Sequence, residues 1–400
     1  MSLNCDVLIA GGGVVGLAVG KELLASNPKL KVLVIEKEKT LGFHASGRNS
    51  GVLHAGFYYS PDSLKAKFCR EGNLELRQLC RRYGIPVLDT GKIVVAKNKF
   101  EVKELEKLYL RGLQNEVRLE LLEEKQLKDF EPYAHTHERF LWSPTTGVSD
   151  PHAIIGALSR EFVDLGGTLF PSSLLEVKDD GRITINSEAI EYRHFVNCAG
   201  TQSERIAQKF NVGNQFTMMP FMGVYKSVSH TLLPLKTLIY PVPHPINPFL
   251  GVHFTLTLDG QTKIGPTAIP VLGRENYSVT QGISLRDSLE TLKGFKSMVF
   301  GKTHDVSNLL STELPKLSGK VLVREASLLV PSARKIKDWK SRPPGIRAQL
   351  IDTKSGQLQQ DFVVLPGAKS THVLNAVSPG WTSAIPFGRW IVKEKVLPQL

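Results

Sequence analysis

Gly11-Gly12-Gly13-Val14-Val15-Gly16 is a G-x-G-x-x-G run, a spacing that sets backbone N–H groups against a pyrophosphate. Gly11 permits the tight turn, Gly13 lets the backbone approach the phosphates, and Gly16 lets helix and strand pack closely, with Val15 between them at the helix start. Glu36 lies twenty residues beyond Gly16, where a carboxylate accepts hydrogen bonds from a ribose diol; Lys37 follows it and is counted with the same ligand. An arginine in place of Glu36 would have pointed to a 2′-phosphate instead. The backbone is expected to approach the ligand again at Ala199-Gly200, a small turn that ends a strand.

The elements around the run have the order this chemistry requires. Residues 6–10 and 32–35 are uninterrupted apolar strands, and 14–24 carry apolar residues at helical spacing. Such strands belong to a parallel sheet buried on both faces. Residues 40–61 are rich in Gly, Ser, His and Asn and read as a long functional loop. That loop follows Glu36 where an NAD domain would continue with a helix, which favours FAD. Helices are expected at 63–83 (stopped by Gly84), 100–115, 123–130, 152–165, 284–300 and 306–317. Strands are expected at 91–96, 174–178 (bringing Val177 to the cofactor), 183–185, 195–198, 362–365 and 371–374, with a strand-rich block at 221–265. A Ser378-Pro379-Gly380 turn then opens a helix of about fifteen residues.

The fold class is α/β (α+β overall): a Rossmann-type FAD-binding domain with an inserted, mainly antiparallel β-sheet substrate domain. The first is expected from residues 1–84, 145–212 and 330–400, the second from 85–144 and 213–329. An apolar fraction of 42% and a charged fraction of 22% exclude a disordered chain, a collagen or a disulfide mini-scaffold. Cys5, Cys69, Cys80 and Cys198 form no CxxC and pair with no histidine at zinc-finger spacing, so no metal is expected. No run reaches the roughly 18–20 apolar residues of a membrane span. The opening residues lack a secretory or import leader, and a cytoplasmic location is expected, peripheral contact with a membrane staying open.

Fifty Lys and Arg against 38 Asp and Glu give a net charge of +12. Such a balance fits nucleic acid, an anionic membrane face or an acidic substrate. The densest basic stretch, residues 334–340, is broken by an acid and two apolar residues and contains no nucleic-acid motif, so no nucleic-acid partner is expected.

Five segments then narrow the reading: HASGRNSGVLHAGFYY (44–59), SLKAKFC (63–69), PFLGVHFT (248–255), PGIRAQ (344–349) and NAVSPGWTSAIP (375–386). In that order, over nearly the whole chain, they resemble the FAD-dependent L-2-hydroxyglutarate dehydrogenases, within the D-amino-acid-oxidase-like flavoprotein superfamily. Arg48 departs from the pattern, standing where many members have His, and Gly380-Trp381 replaces a smaller pair. The resemblance implies oxidation of L-2-hydroxyglutarate to 2-oxoglutarate, with a hydride passing from the substrate α carbon to flavin N5. The alternative on the same fold is an FAD-dependent amino acid oxidase or an oxidase of another 2-hydroxy acid.

That chemistry needs cations for carboxylates and a base for the hydroxyl proton. Arg347 suits the carboxylate, because a guanidinium grips it bidentately. His253 is the first choice of base and His54 the second, with Tyr240 a hydrogen-bond donor to substrate. Ser46 and the run Asn49-Ser50-Gly51-Val52 would hold the flavin. Gly380, Trp381, Thr382 and Ser383 would begin the last helix, whose amides and dipole would stabilise the anionic N1–C2=O of reduced flavin. His44 lies in His-Ala-Ser-Gly, similar to the His-Ala-Ala-Gly of related dehydrogenases with covalent FAD. Non-covalent FAD is expected, a link through His44 remaining the alternative. The substrate would be a small dicarboxylate, and the electron acceptor a quinone, a carrier protein or O₂.

Overall fold

The computed structural model describes residues 3–178, 181–243, 250–278, 282–301 and 306–400. Strand β1 (Leu3–Ala10) leads into helix α1 (Val14–Ser26) and strand β2 (Val32–Ile35). Val7, Leu8 and Ile9 are completely buried, which is why a continuous apolar run rather than an alternating one forms β1. It pairs in parallel with β2 on one side and with Glu188–Asn197 on the other. Thr168–Phe170 extends the parallel set beyond β2, and Ser370–Asn375 extends it beyond Glu188–Asn197. Helices Pro151–Asp164 and Ala384–Ile391 pack against α1, so this sheet gathers chain from both ends of the sequence.

Helix α2 (Leu64–Tyr83) begins where the Ser63 hydroxyl accepts from the Ala66 amide at 3.1 Å and stops at Gly84, whose φ is 63°. That cap contributes about 1 kcal/mol. Its buried face, Leu76, Leu79 and Cys80, packs against Ile154, Ile155 and Leu158 of Pro151–Asp164.

The second sheet is mainly antiparallel and has nine strands among the described residues. Its longest pair joins Phe216–Ser229 to Lys340–Asp352, with Phe221 opposite Arg347. Lys92–Val95 is parallel to Leu238–Pro241, which pairs with His253–Leu256. A three-stranded sheet, with Gly147–Ser149 between Val52–Leu53 and Val87–Leu88, anchors the loop after β2.

Three local expectations differ. The helix expected at 123–130 is a strand, Glu120–Glu123, followed by a 3₁₀ turn and one helical turn, Leu127–Phe130. It ends because the Glu131 carboxylate turns inward to accept from the amides of Lys236 (2.6 Å) and Thr237 (3.0 Å). The last helix begins at Ala384, after a turn in which the Ser383 amide bonds the Pro379 carbonyl at 2.9 Å. Gly380, Trp381, Thr382 and Ser383 therefore precede it rather than forming its first turn. Lys340–Asp352 is a strand that the local pattern does not announce, because Pro343-Pro344 interrupts it; the register accommodates them in an irregularity between Gly223 and Tyr225. Pro248 and Phe249 lie outside the described residues.

Candidate active site

A cavity of about 640 Å³ takes lining from both large sheets. One end is built by the β1–α1 turn. Gly11 has φ 103°, and a Cβ there would lie 2.4 Å from the Cys198 carbonyl oxygen. Gly16 does not line the cavity; a Cβ on it would meet the Gly11 carbonyl at 2.0 Å, so it permits the close turn behind the site. Helix α1 has Gly13 as its N-cap and so no capping side chain of its own; the Ser46 hydroxyl, from the long loop, accepts from the Val14 amide at 3.0 Å. Gly13, Val14 and Val15 face the cavity with the helix's positive end.

Glu36 is buried and lines the same end. Its Oε2 accepts from the Gly12 amide and its Oε1 from the Glu38 amide, each at 2.9 Å, which fixes the carboxylate and leaves further lone pairs for a diol. Ala199 and Gly200 line it too, Gly200 with φ 56°. Glycines where a Cβ would intrude, a helix start with glycine at its N-cap and a fixed carboxylate together fit the adenosine diphosphate half of FAD. Val177 lies outside the lining, in the Leu175–Val177 edge hairpin.

The loop after β2 is held from within. Asn49 accepts from the Gly51 amide at 2.8 Å and donates to the Ser46 carbonyl at 2.6 Å. Gly51 has φ 71° and sits behind the lining, its carbonyl accepting from the Ser149 amide; Ser50 and Val52 line the cavity. The Thr382 hydroxyl spans the gap to the C-terminal turn, donating to the Val52 carbonyl at 3.1 Å and accepting from the His54 amide at 3.3 Å. Gly380 and Trp381 line the cavity beside it, whereas Ser383 does not. His44 also lines it, with both ring nitrogens engaged: Nδ1 with the Tyr277 hydroxyl (2.8 Å), Nε2 with Glu38 (3.0 Å) and with Lys37 (2.9 Å). Lys37 itself pairs with Glu38 and Glu275.

The other end brings Arg347, His54, His253 and Tyr240 to one cavity. The His253 and Tyr240 rings stack at 3.8 Å and 20°. His253 Nδ1 lies 2.9 Å from the Gly251 carbonyl, so Nδ1 carries the proton and Nε2 the lone pair. Burial pushes His253 down to about 3. It pushes His54 down as well, helped by the charges of Lys92, His253 and Arg347. His54 Nδ1 is buried without a hydrogen-bond partner among the described residues. The Tyr240 hydroxyl lies beside Thr255 but no hydrogen bond of ordinary geometry satisfies it. Arg347 stays charged, since burial lowers a guanidinium only from a very high starting point, and Tyr59 and Tyr225 flank it.

Among the described residues, the cavity as a whole is lined by four basic side chains, Lys37, Arg48, Arg205 and Arg347. Lys65, outside the lining, is lowered to about 7 by burial, with the Arg347 charge second. The acidic lining residues are Glu36 and Glu275, with Glu313, which bonds the Ala268 amide and Lys316. Sequence reasoning missed Lys92 and Tyr225. A lysine opening the apolar run Lys92–Val95 and a tyrosine in the alternating strand Phe216–Ser229 were the available signals.

The family model for FAD-dependent oxidoreductases, DAO, matches residues 6–394. Mitochondrial L-2-hydroxyglutarate dehydrogenase of Caenorhabditis briggsae is 36% identical over 411 residues, covering 98% of this chain and 93% of the relative. L-2-hydroxyglutarate dehydrogenase of Indibacter alkaliphilus is 35% identical, covering 98% of this chain and 100% of the relative. Among solved structures, FAD-bound L-alpha-glycerophosphate oxidase of Mycoplasma pneumoniae aligns with a TM-score of 0.76 at 23% identity, over 98% of this chain and 94% of the other; it shares the fold.

Proposed function

The chain belongs to the DAO family of FAD-dependent oxidoreductases, and from that premise we propose how its site oxidises L-2-hydroxyglutarate to 2-oxoglutarate. FAD, when bound, would supply the oxidant, as the acceptor of a hydride from the substrate α carbon. Gly11, Gly13, Val15 and Glu36 would hold the nucleotide half, and Asn49, Ser50 and Val52 with Gly380–Thr382 would hold the ring. Arg347 holds a substrate carboxylate bidentately.

The base must be neutral to take the hydroxyl proton, and both histidines are. His253 has committed Nδ1 to Gly251 and stacks on Tyr240, so it orients that ring. His54 has an unpartnered Nδ1 and a backbone fixed by Thr382, and we assign it the proton. A bound dianion beside it raises its affinity for that proton. Tyr240 donates its unsatisfied hydroxyl to the substrate.

The observation that carries this reading is Arg347 and neutral His54 in one cavity with the dinucleotide turn. Anaerobic addition of L-2-hydroxyglutarate should bleach the flavin band. Bleaching by glycine or D-amino acids, with none by L-2-hydroxyglutarate, would refute it.

The two-domain division remains a proposal; Lys340–Asp352, which carries Arg347, pairs into the second sheet. No described helix is long and apolar enough to cross a membrane. Helix Leu285–Gly301 does support peripheral contact. Asp287, Thr291, Gly294 and Met298 form its buried face, while Leu285 (80% exposed), Leu289, Leu292, Val299 and Phe300 (73%) form an outward stripe edged by Arg286, Lys293 and Lys296. An apolar stripe with a basic edge suits the interface of an anionic bilayer, where a quinone acceptor is met. Cosedimentation with anionic but not neutral vesicles is expected, and Leu289→Glu should abolish it; no sedimentation with either vesicle would end the idea.

A further inference from the structure

Lys92 is completely buried, and its Nζ has no hydrogen-bond partner among the described residues. Three aromatic rings surround the ammonium instead: Phe57 at 4.6 Å, Tyr58 at 4.5 Å and Tyr240 at 4.6 Å from their centroids. Phe57 and Tyr58 come from the loop that also carries His54. Tyr240 comes from the strand paired in parallel with that of Lys92. The titratable groups facing it are Cys69 on α2, Tyr58 and His54 on the loop, Tyr240 on the parallel strand and His253 on the strand beyond. None is a carboxylate. A hydrophobic side chain of similar length would fill this place without burying a charge.

We propose that Lys92 is a positioning residue for the oxidation: caged by Phe57, Tyr58 and Tyr240, it fixes the Tyr240 ring on which His253 stacks, and its charge adds to the burial that keeps His54 unprotonated. The inference rests on the reading of His54 as the base. Two cations in one dry pocket repel, so His54 stays neutral while Lys92 holds its proton. Burial lowers Lys92 itself to about 7, which places its proton loss near neutrality. Above that pH His54 is neutral without help. Below it, Lys92 extends the range over which His54 can act. The lysine touches no reacting atom and works through the two rings.

The test uses the FAD-loaded enzyme and two readouts. The first is the acid limb of the pH profile of kcat/KM for L-2-hydroxyglutarate. The second is the titration of His54 by ¹⁵N-histidine NMR, its signal assigned by its loss in His54→Gln. In the native enzyme His54 should titrate well below 6.5. In Lys92→Met both the titration and the limb should move up by about one pH unit, a tenfold gain in proton affinity. Lys92→Arg should keep both low. His54 titrating at the same pH in native enzyme and Lys92→Met overturns the proposal. So does a native titration near 6.5, which needs no variant to fold. A His54→Gln enzyme of unchanged rate would refute the base assignment alone, since the NMR shift would still read the Lys92–His54 coupling.

Discussion

The hydroxyl of Thr382 donates to the carbonyl oxygen of Val52 at 3.1 Å, joining segments 330 residues apart in sequence. The hydroxyl oxygen also accepts from the amide of His54 at 3.3 Å. Both atoms of one hydroxyl are thus used to hold the loop that carries His54 against the turn before the last helix. Thr382 and Val52 are buried there, and α2 passes close beneath them. A Cβ on Gly72 would lie 2.1 Å from the Thr382 carbonyl.

Replacing Thr382 by Val keeps the shape and removes both bonds. The buried Val52 carbonyl and His54 amide are then left without this partner, at a cost of about 2 kcal/mol. The expected outcome is a lower thermal midpoint and faster loss of FAD on dilution, followed by flavin fluorescence. A variant with native midpoint and native FAD retention would show that the loop is held by other means.

Arg347 lies in the middle of Lys340–Asp352, opposite Phe221, where the strand pair fixes its backbone. A guanidinium so placed offers two parallel N–H groups to one carboxylate. Arg347→Met should therefore lower kcat/KM for L-2-hydroxyglutarate by roughly 100-fold or more, about 3 kcal/mol, chiefly through KM. Arg347→Lys keeps the charge and loses the fork, and should fall between. Equal kinetics for Arg347→Lys and native enzyme would remove the bidentate role.

The dinucleotide end was legible because its determinants are local. Gly11, Gly13, Gly16 and Glu36 lie within one β–α–β unit, and backbone sterics dictate their spacing. The substrate end was legible only in part. Arg347 and His253 stood out by residue type, but the contacts that rank the histidines are tertiary. The Gly251 carbonyl beside His253 and the caged ammonium of Lys92 follow from strand pairing, which no local pattern encodes. Lys340–Asp352 was hidden for a different reason. Two prolines break its alternation, and only the partner strand shows that the ladder continues past them. The helix expected at 123–130 failed because Glu131 serves backbone amides a hundred residues downstream.

The contacts of His44 favour non-covalent FAD. Its Nδ1 meets the Tyr277 hydroxyl and its Nε2 lies near Glu38 and Lys37, contacts that a bond to the cofactor would have to replace. Acid precipitation should leave a colourless pellet and release all FAD to the supernatant. A yellow pellet that bleaches in His44→Ala would establish the covalent link instead.

A second pair of histidines, away from the cavity, should add to the acid sensitivity that buried His54 and His253 bring. His194 and His372 are completely buried in neighbouring parallel strands, and burial pushes each down to about 4. His372 Nδ1 faces the Asn197 side-chain amide at 3.2 Å, and Nε2 faces the Ser370 hydroxyl at 3.0 Å. With the Asn197 nitrogen as donor, Nδ1 must keep its lone pair, so protonating it sets two donors against each other. The folded value of about 4 lies below the unfolded value of about 6.5. The unfolded chain therefore binds more protons between those limits. Stability is full above pH 6.5 and is lost as pH falls towards 4, by on the order of 3 kcal/mol for each histidine. Urea midpoints measured from pH 7 to 4.5 should fall steeply. His372→Gln can accept from Asn197 and donate to Ser370 without titrating, and its midpoint should fall less. Parallel pH dependences in the two proteins would show that His372 does not govern acid unfolding.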